Sequence, residues 1–172
     1  MRVFVTGASG AIGRRLVPQL IDAGHDVVGA HRSPEGADRL QSLGATPVML
    51  ELLDARAVRK AVLESEPEAI VHEATALANV KFSRNFDKTG ARTNELRATG
   101  TDLLLAAARE AGVRRFVAQS VASFGRYARE GGPVKTEDDP VDQSPPIHTE
   151  QSVAAVNHLE QAVTDFGGIA LR

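Results

Sequence analysis

Val3-Phe4-Val5-Thr6-Gly7-Ala8-Ser9-Gly10-Ala11-Ile12-Gly13, near the start of a 172-residue chain, sets a short apolar run against a turn with glycine at every third position. The run is too short for a helix and ends at a glycine, which is how a buried strand reads. Behind it Ile12, Leu16, Leu20 and Ile21 fall on one face of a predicted helix over residues 11–23, stopped by Gly24. A strand that turns on glycines straight into a helix aims the unpaired N–H groups of the helix start, with the positive end of its dipole, at one place, and that place suits a phosphate. Gly7 allows the sharp turn, Gly10 lets backbone approach a pyrophosphate, and Gly13 lets the helix pack closely on the strand. The spacing is one residue wider than the G-x-G-x-x-G dinucleotide fingerprint. Ser9, Ala11 and Ile12 complete the turn and are expected at the same ligand. The competing reading is a glycine-rich turn that binds nothing.

The rest of the chain suits one soluble domain over residues 1–172, with 42% hydrophobic and 24% charged residues. A net charge of −2 without a long basic run offers no electrostatic case for nucleic acid or an anionic membrane. The absence of cysteine excludes disulfides and thiolate metal sites and fits a reducing compartment, and the five histidines lack ligand spacing. Glycines and two arginines interrupt the N-terminal apolar residues before a signal-peptide core could form, and no apolar run reaches membrane-spanning length. A cytoplasmic protein with a small-molecule substrate is expected.

Along the chain the strand-helix rhythm repeats. Strands are predicted over 26–30, 46–50, 69–72 and 115–118, with a last one starting at 169. Pro34 opens a helix carrying Ala37, Leu40 and Leu43, and Asp54 caps one carrying Ala57, Val58, Ala61 and Val62. A long helix is predicted over 94–111, with Leu96, Leu103, Leu104, Ala107 and Ala111 as its buried stripe, and another over 150–166 with Val153, Val156, Leu159 and Val163 inward. Residues 73–93 read as a functional loop or a short irregular helix, and 126–148 as surface loop. Successive βα units predict an α/β fold, a doubly wound parallel sheet with order 3-2-1-4-5-6.

A dinucleotide's adenosine half is usually specified at the end of the second strand, where an acid bonds the ribose. This chain has Arg32 there, and a guanidinium pairs in a fork with a 2′-phosphate, which tilts the cofactor toward NADP, with NAD possible. Arg14 could assist; the alternative for Arg32 is a solvated surface arginine. Asp54 either reaches an adenine amino group or serves only as a helix cap, with Leu53 beside it and Ala74 after the fourth strand as further cofactor contacts. The pair His72-Glu73 suggests acid/base chemistry, against a satisfied histidine at a sheet edge.

The glycine turn, Asp54, Asn94 heading a helix that contains Gly100-Thr101 and a leucine run, and the stretch from Gly112 to Ser120 together resemble the NAD-dependent epimerase/dehydratase family, the extended branch of the short-chain dehydrogenase/reductase superfamily. The resemblance implies a Rossmann nucleotide domain, hydride transfer, and a catalytic serine with a Tyr-x-x-x-Lys pair. Ser120 matches the serine, four residues before Phe124, and Glu160 matches a glutamate that follows the pair. Counting back places Ser152 at the tyrosine and Val156 at the lysine, and neither can do those residues' work. The only tyrosine, Tyr127, lies in another loop. Ser120, with Ser123 or His148, is what remains as a hydroxyl donor. The resemblance also implies a smaller substrate-binding domain beyond Leu171-Arg172, and a homodimer through the helices at 94–111 and 150–166. Two functions stay open: an NAD(P)-dependent oxidoreductase or epimerase acting on a carbonyl or secondary alcohol, such as a nucleotide sugar, and a nucleotide sensor that has lost turnover.

Overall fold

The structure, a computed structural model, describes residues 1–78, 80, 85–122, 134–136, 139 and 146–172. Six strands form one parallel sheet: β1 (Arg2–Thr6), β2 (Asp26–His31), β3 (Thr46–Met49), β4 (Ala69–His72), β5 (Arg115–Gln119) and β6 (Ile169–Leu171), in the order β3-β2-β1-β4-β5-β6. The expected order is the observed one. Pro47 lies on β3, at the sheet's edge, where a missing N–H leaves no inner ladder broken.

Side-chain alternation sorts the strands' residues to two faces. Phe4 pairs with Val28 and Ile70, and Ile70 with Phe116; these join one core cluster under α3 (Ala55–Ser65), α6 (Thr101–Glu110) and α7 (Glu150–Asp165). Val3, Val5, Val27 and Ala69 face the other way, with Val17 of α1 (Gly13–Asp22) and Leu40 of α2 (Pro34–Ser42). Both faces are covered, as an all-parallel sheet requires. The chain runs outward from β1 to β3 and then crosses back to lay β4 on β1's other side, so a crevice opens outside the carboxyl ends of β1 and β4.

Three expectations shift. Helix α1 starts at Gly13, leaving Ile12 46% exposed, and Val17 rather than Ile12 is its sealed residue, because residues 10–12 belong to the turn. Residues 73–93 contain the short helix α4 (Phe86–Thr89), and α5 (Ala91–Glu95) begins before residue 94. The long helix is not uniform: a π-helical turn at Leu96–Gly100 joins α5 to α6. Such turns widen a helix and mark functional sites more often than chance.

Candidate functional site

The chain leaves β1 through Gly7, whose φ of +72° is the left-handed region that side chains disfavour. A Cβ on Gly7 would lie 2.6 Å from the backbone carbon and oxygen of Glu73, so the exits of β1 and β4 pass in contact there. Gly10 N–H donates to the Gly7 carbonyl at 2.9 Å and the Gly10 carbonyl accepts from Arg14 N–H at 3.1 Å, carrying the turn into α1. A Cβ on Gly13 would meet the Ala8 and Gly7 carbonyl oxygens at 2.4 Å. The turn and the helix start are thus pressed together to a degree only glycine permits.

The N-terminus of α1 has no side-chain cap and no acidic residue in its first turn, whereas Ser33, Asp54 and Asn85 cap α2, α3 and α4. The first-turn N–H groups of Arg14, Arg15 and Leu16 are taken by the Gly10 and Ile12 carbonyls, so this ten-residue helix, without a side-chain cap, offers an anion the positive end of its dipole and the backbone of the glycine turn. Beside it is a cleft of about 240 Å³. Thr6, Gly7, Ser9 and Gly10 form one wall and Arg32, after β2, another. Leu50, Leu52 and Leu96 supply apolar surface for a flat ring, with Ala74 and Thr75 closing the β4 side. This is smaller than the roughly 300–1,000 Å³ of whole small-molecule sites and would hold only part of a dinucleotide. The residues present fit that ligand: a glycine cradle for the pyrophosphate and an apolar slot for the base.

Of the residues expected at the cofactor, Gly7, Ser9, Gly10, Arg32 and Ala74 line this cleft. Gly13 shapes the turn from beneath, and Ala11 and Ile12 are exposed beside it. Leu53 is displaced by one residue: Leu52 faces the cleft, while Leu53 packs against the core. Leu52 also rests on Gly100, where a Cβ would come within 3.1 Å of its Cδ2. Asp54 does what a cap does, its Oδ1 accepting from Arg56 N–H at 2.9 Å and Ala57 N–H at 3.1 Å. Sequence reasoning missed Leu50, Leu52 and Leu96, whose apolar character reads as core, and Arg39, which donates to the Ser9 carbonyl at 3.2 Å and ties α2 to the glycine turn.

A second polar region lies at the carboxyl ends of β4 and β5. Ser120 is buried, and its hydroxyl donates to Glu160, whose carboxylate also pairs with Arg172 at 2.9 Å. The Ser120 proton is therefore directed at Glu160, and its oxygen lone pairs are what it can offer elsewhere. His148 is exposed, with its backbone at φ 68° and its carbonyl accepting from Asp87 N–H. Ser123, Phe124 and Tyr127 lie outside the described residues, as does most of the loop expected over 126–148. Ser152 and Val156 are buried on α7. His72 is no edge residue: β4 is flanked by β1 and β5, and His72 Nδ1 bonds Thr6 Oγ1 at 2.8 Å. Burial holds its pKa down to about 4, opposed by the Leu96 backbone and aided by the charge of Arg97. The ring is neutral at pH 7.

Asp87 joins this region to α7 across 65 residues of chain. Its carboxylate accepts from Ser152 N–H at 2.9 Å, Ser152 Oγ–H at 3.0 Å and Gln151 N–H at 3.2 Å, while Asn94 Nδ2 donates to Ser152 Oγ at 3.1 Å. Burial opposes ionisation of Asp87, but these bonds outweigh it and hold its pKa below the usual carboxylate value. Asp87 thus caps α7 from another segment. Asp87→Ala is expected to cost about 1 kcal/mol, the usual worth of a cap. A chain of this size would then melt about 2–4 °C lower. An unchanged melting temperature in scanning calorimetry would show that the contact carries no stability.

Comparison with known proteins places the chain. The description of the NAD dependent epimerase/dehydratase family matches residues 3–164. The chain belongs to that family. It is 41% identical over 179 aligned residues to a 3-diazoavenalumate denitrifying reductase from Streptomyces sp, covering 100% of this chain and 55% of the relative. It is 34% identical over 156 residues to the UDP-glucose 4-epimerase of Mycolicibacterium smegmatis, covering 85% of this chain and 46% of that protein. Among solved structures, the UDP-glucose-4-epimerase from Stenotrophomonas maltophila with bound NAD superposes with a TM-score of 0.77 at 22% identity, over 100% of this chain and 52% of that one; this likeness concerns the fold. The chain spans about half the length of the relatives it matches. Among the described residues, no helix is long and apolar enough to cross a membrane.

Proposed function

We propose that residues 1–172 form the nucleotide-binding domain of an NAD(P)-dependent oxidoreductase or epimerase acting on a carbonyl or secondary alcohol. The observation that carries the reading is the uncapped N-terminus of α1, held by Gly7 and Gly13 against the exits of β1 and β4. The dinucleotide, when bound, supplies the hydride donor or acceptor. The chain's own residues cradle its pyrophosphate and seat its adenine between Leu50, Leu52 and Leu96. Ser120, just after β5, matches the family's serine and would meet a substrate through its oxygen, since its hydroxyl proton is directed at Glu160. The likeness to a 3-diazoavenalumate denitrifying reductase and to a UDP-glucose 4-epimerase supports a reductase or an epimerase. Titration with NADPH and NADH, followed by nicotinamide fluorescence, tests the reading, and no binding of either would sink it.

NADP is the favoured cofactor because Arg32 stands in the cleft wall at the end of β2, where its fork can take a 2′-phosphate. Arg32→Ala is expected to weaken NADPH at least tenfold, about 1.4 kcal/mol, and NADH by less than about twofold. Equal losses for both would make Arg32 a general phosphate contact or a surface residue.

The second reading, a nucleotide sensor without turnover, rests on Ser152 and Val156, which are sealed on α7 where the family pattern has its tyrosine and lysine. A turnover screen of the longer protein with keto compounds and nucleotide sugars separates the two. A cytoplasmic homodimer fits either.

A further inference from the structure

Among the described residues, four sealed side-chain atoms have no hydrogen-bond partner: His72 Nε2, Glu73 Oε2, Asn94 Oδ1 and Arg97 Nε. They are not scattered. His72 and Glu73 are consecutive at the carboxyl end of β4, and Asn94 and Arg97 are one turn apart on the helix that covers it, in α5 and the π turn. Buried polar atoms are paired in the great majority of cases. Of these four, His72 feels the charge of Arg97 and its ring is reached by the Leu96 backbone, while Glu73 feels burial alone, so Arg97 is the group that asks for a ligand or water.

Arg97 is the strongest of them. It is only 4% exposed, its guanidinium makes no hydrogen bond or ion pair to any described residue, and only its backbone carbonyl is used, by Thr101 Oγ–H. Burial lowers its pKa, and no carboxylate offsets that. A buried, unpaired cation is among the costliest things a fold can hold and contributes nothing to packing that a methionine would not.

Its direction follows from the helix. Arg97, Thr101, Leu104 and Ala108 are buried at helical spacing, which turns Arg97 toward the sheet. The helix starts at the carboxyl end of β4 and ends before β5 begins, so its N-terminal end is at the crevice, and helical side chains lean toward the N-terminus. The charge of Arg97 is felt by His72, the last residue of β4. The π turn at Leu96–Gly100 lies where this side chain leaves the helix. Arg97 does not line the cleft beside the glycine turn, though its neighbour Leu96 does, so the dinucleotide's phosphates at α1 are not its partner.

We infer that Arg97 binds an anionic group of the substrate, a carboxylate, beside His72 at the carboxyl end of β4. A guanidinium fork matches two coplanar oxygens. A single buried positive charge balances a monoanion, and a dianionic phosphate would leave one negative charge unbalanced. The inference rests on the oxidoreductase reading for calling the ligand a substrate; the anion site itself does not.

The test is side-chain NMR of the arginine Nε–H groups in the chain, titrated with acetate and separately with inorganic phosphate, with and without NADPH, for wild type, Arg97→Met and Arg97→Lys. Acetate is expected to shift one Nε–H signal that Arg97→Met removes, and to protect wild type against thermal unfolding. Arg97→Met should bind acetate at least tenfold more weakly, keep its NADPH affinity within twofold, and melt no lower than wild type without ligand. Arg97→Lys, which keeps the charge and loses the fork, should fall between. Tighter binding of phosphate than acetate overturns the carboxylate assignment. Acetate affinity unchanged in Arg97→Met overturns the site, as does a much lower melting temperature in that variant that Arg97→Lys restores without restoring acetate binding. Failure of NADPH to bind wild type would strike the oxidoreductase reading and leave the acetate result standing.

Discussion

Gly13→Ala is expected to weaken NADPH binding severely and to lower the melting temperature by several degrees. Its new Cβ would lie 2.4 Å from two backbone oxygens, those of Ala8 and Gly7, neither of which can swing aside as a side chain could. Relief requires the turn to open away from α1, and forced overpacking of this kind costs about 1–3 kcal/mol or somewhat more. At about 2–4 °C per kcal/mol for a chain of this size, calorimetry should read a drop on the order of 5–10 °C. The same opening withdraws the positive end of the helix dipole from the backbone of the glycine turn, so nicotinamide fluorescence should show affinity reduced by about a hundredfold or more. Gly10→Ala is the control. A Cβ there would meet only the Gly7 oxygen, at 3.0 Å, while projecting at the cleft wall. It should bind NADPH weakly yet melt close to wild type. Were Gly13→Ala to bind NADPH normally, the glycine turn would not be the phosphate cradle.

The parallel sheet and its order were legible because each strand is an apolar run bounded by glycine, proline or a capping residue, and because βα units admit few topologies. Gly7 and Gly13 were legible for the same reason: their spacing encodes a backbone contact, and both contacts are present. What escaped was set by tertiary packing. Leu52 rather than Leu53 faces the cleft because the chain turns at residues 52 and 53 after β3, and a period-based reading is uncertain by one residue there. Ile12 reads as helix interior but stays in the turn. The bonds from Asp87 to Ser152 and from Ser120 to Glu160 join segments 65 and 40 residues apart, which no local pattern records. Arg97 was signalled after all. It stands seven residues before Leu104 and eleven before Ala108, on their buried stripe, where an arginine is out of character with its apolar neighbours.

His72 should make the fold lose stability as the medium is acidified from about pH 6.5 to about pH 4. Its folded pKa is lowered from 6.5 to about 4, first by burial, so between those values the unfolded chain binds a proton that the folded chain refuses. Stability from this residue is therefore complete above pH 6.5 and lost as pH falls to its folded value. At 1.36 kcal/mol per pH unit the loss is about 3 kcal/mol. Two neighbours act in other senses. Glu73, raised by burial, is ionised less readily in the fold, so acidification through its titration adds stability and partly offsets the loss. Asp87, held low by its bonds to α7, contributes stability that disappears only at still lower pH. Urea midpoints measured from pH 7.5 to 4 should fall for wild type and flatten for His72→Asn, whatever that variant's absolute stability. Glu73→Gln should steepen the wild-type slope. An identical slope in His72→Asn would mean that the ring is protonated in the fold. That outcome would also put a second positive charge beside the buried Arg97, whereas a neutral imidazole leaves the guanidinium as the one charge of that pair.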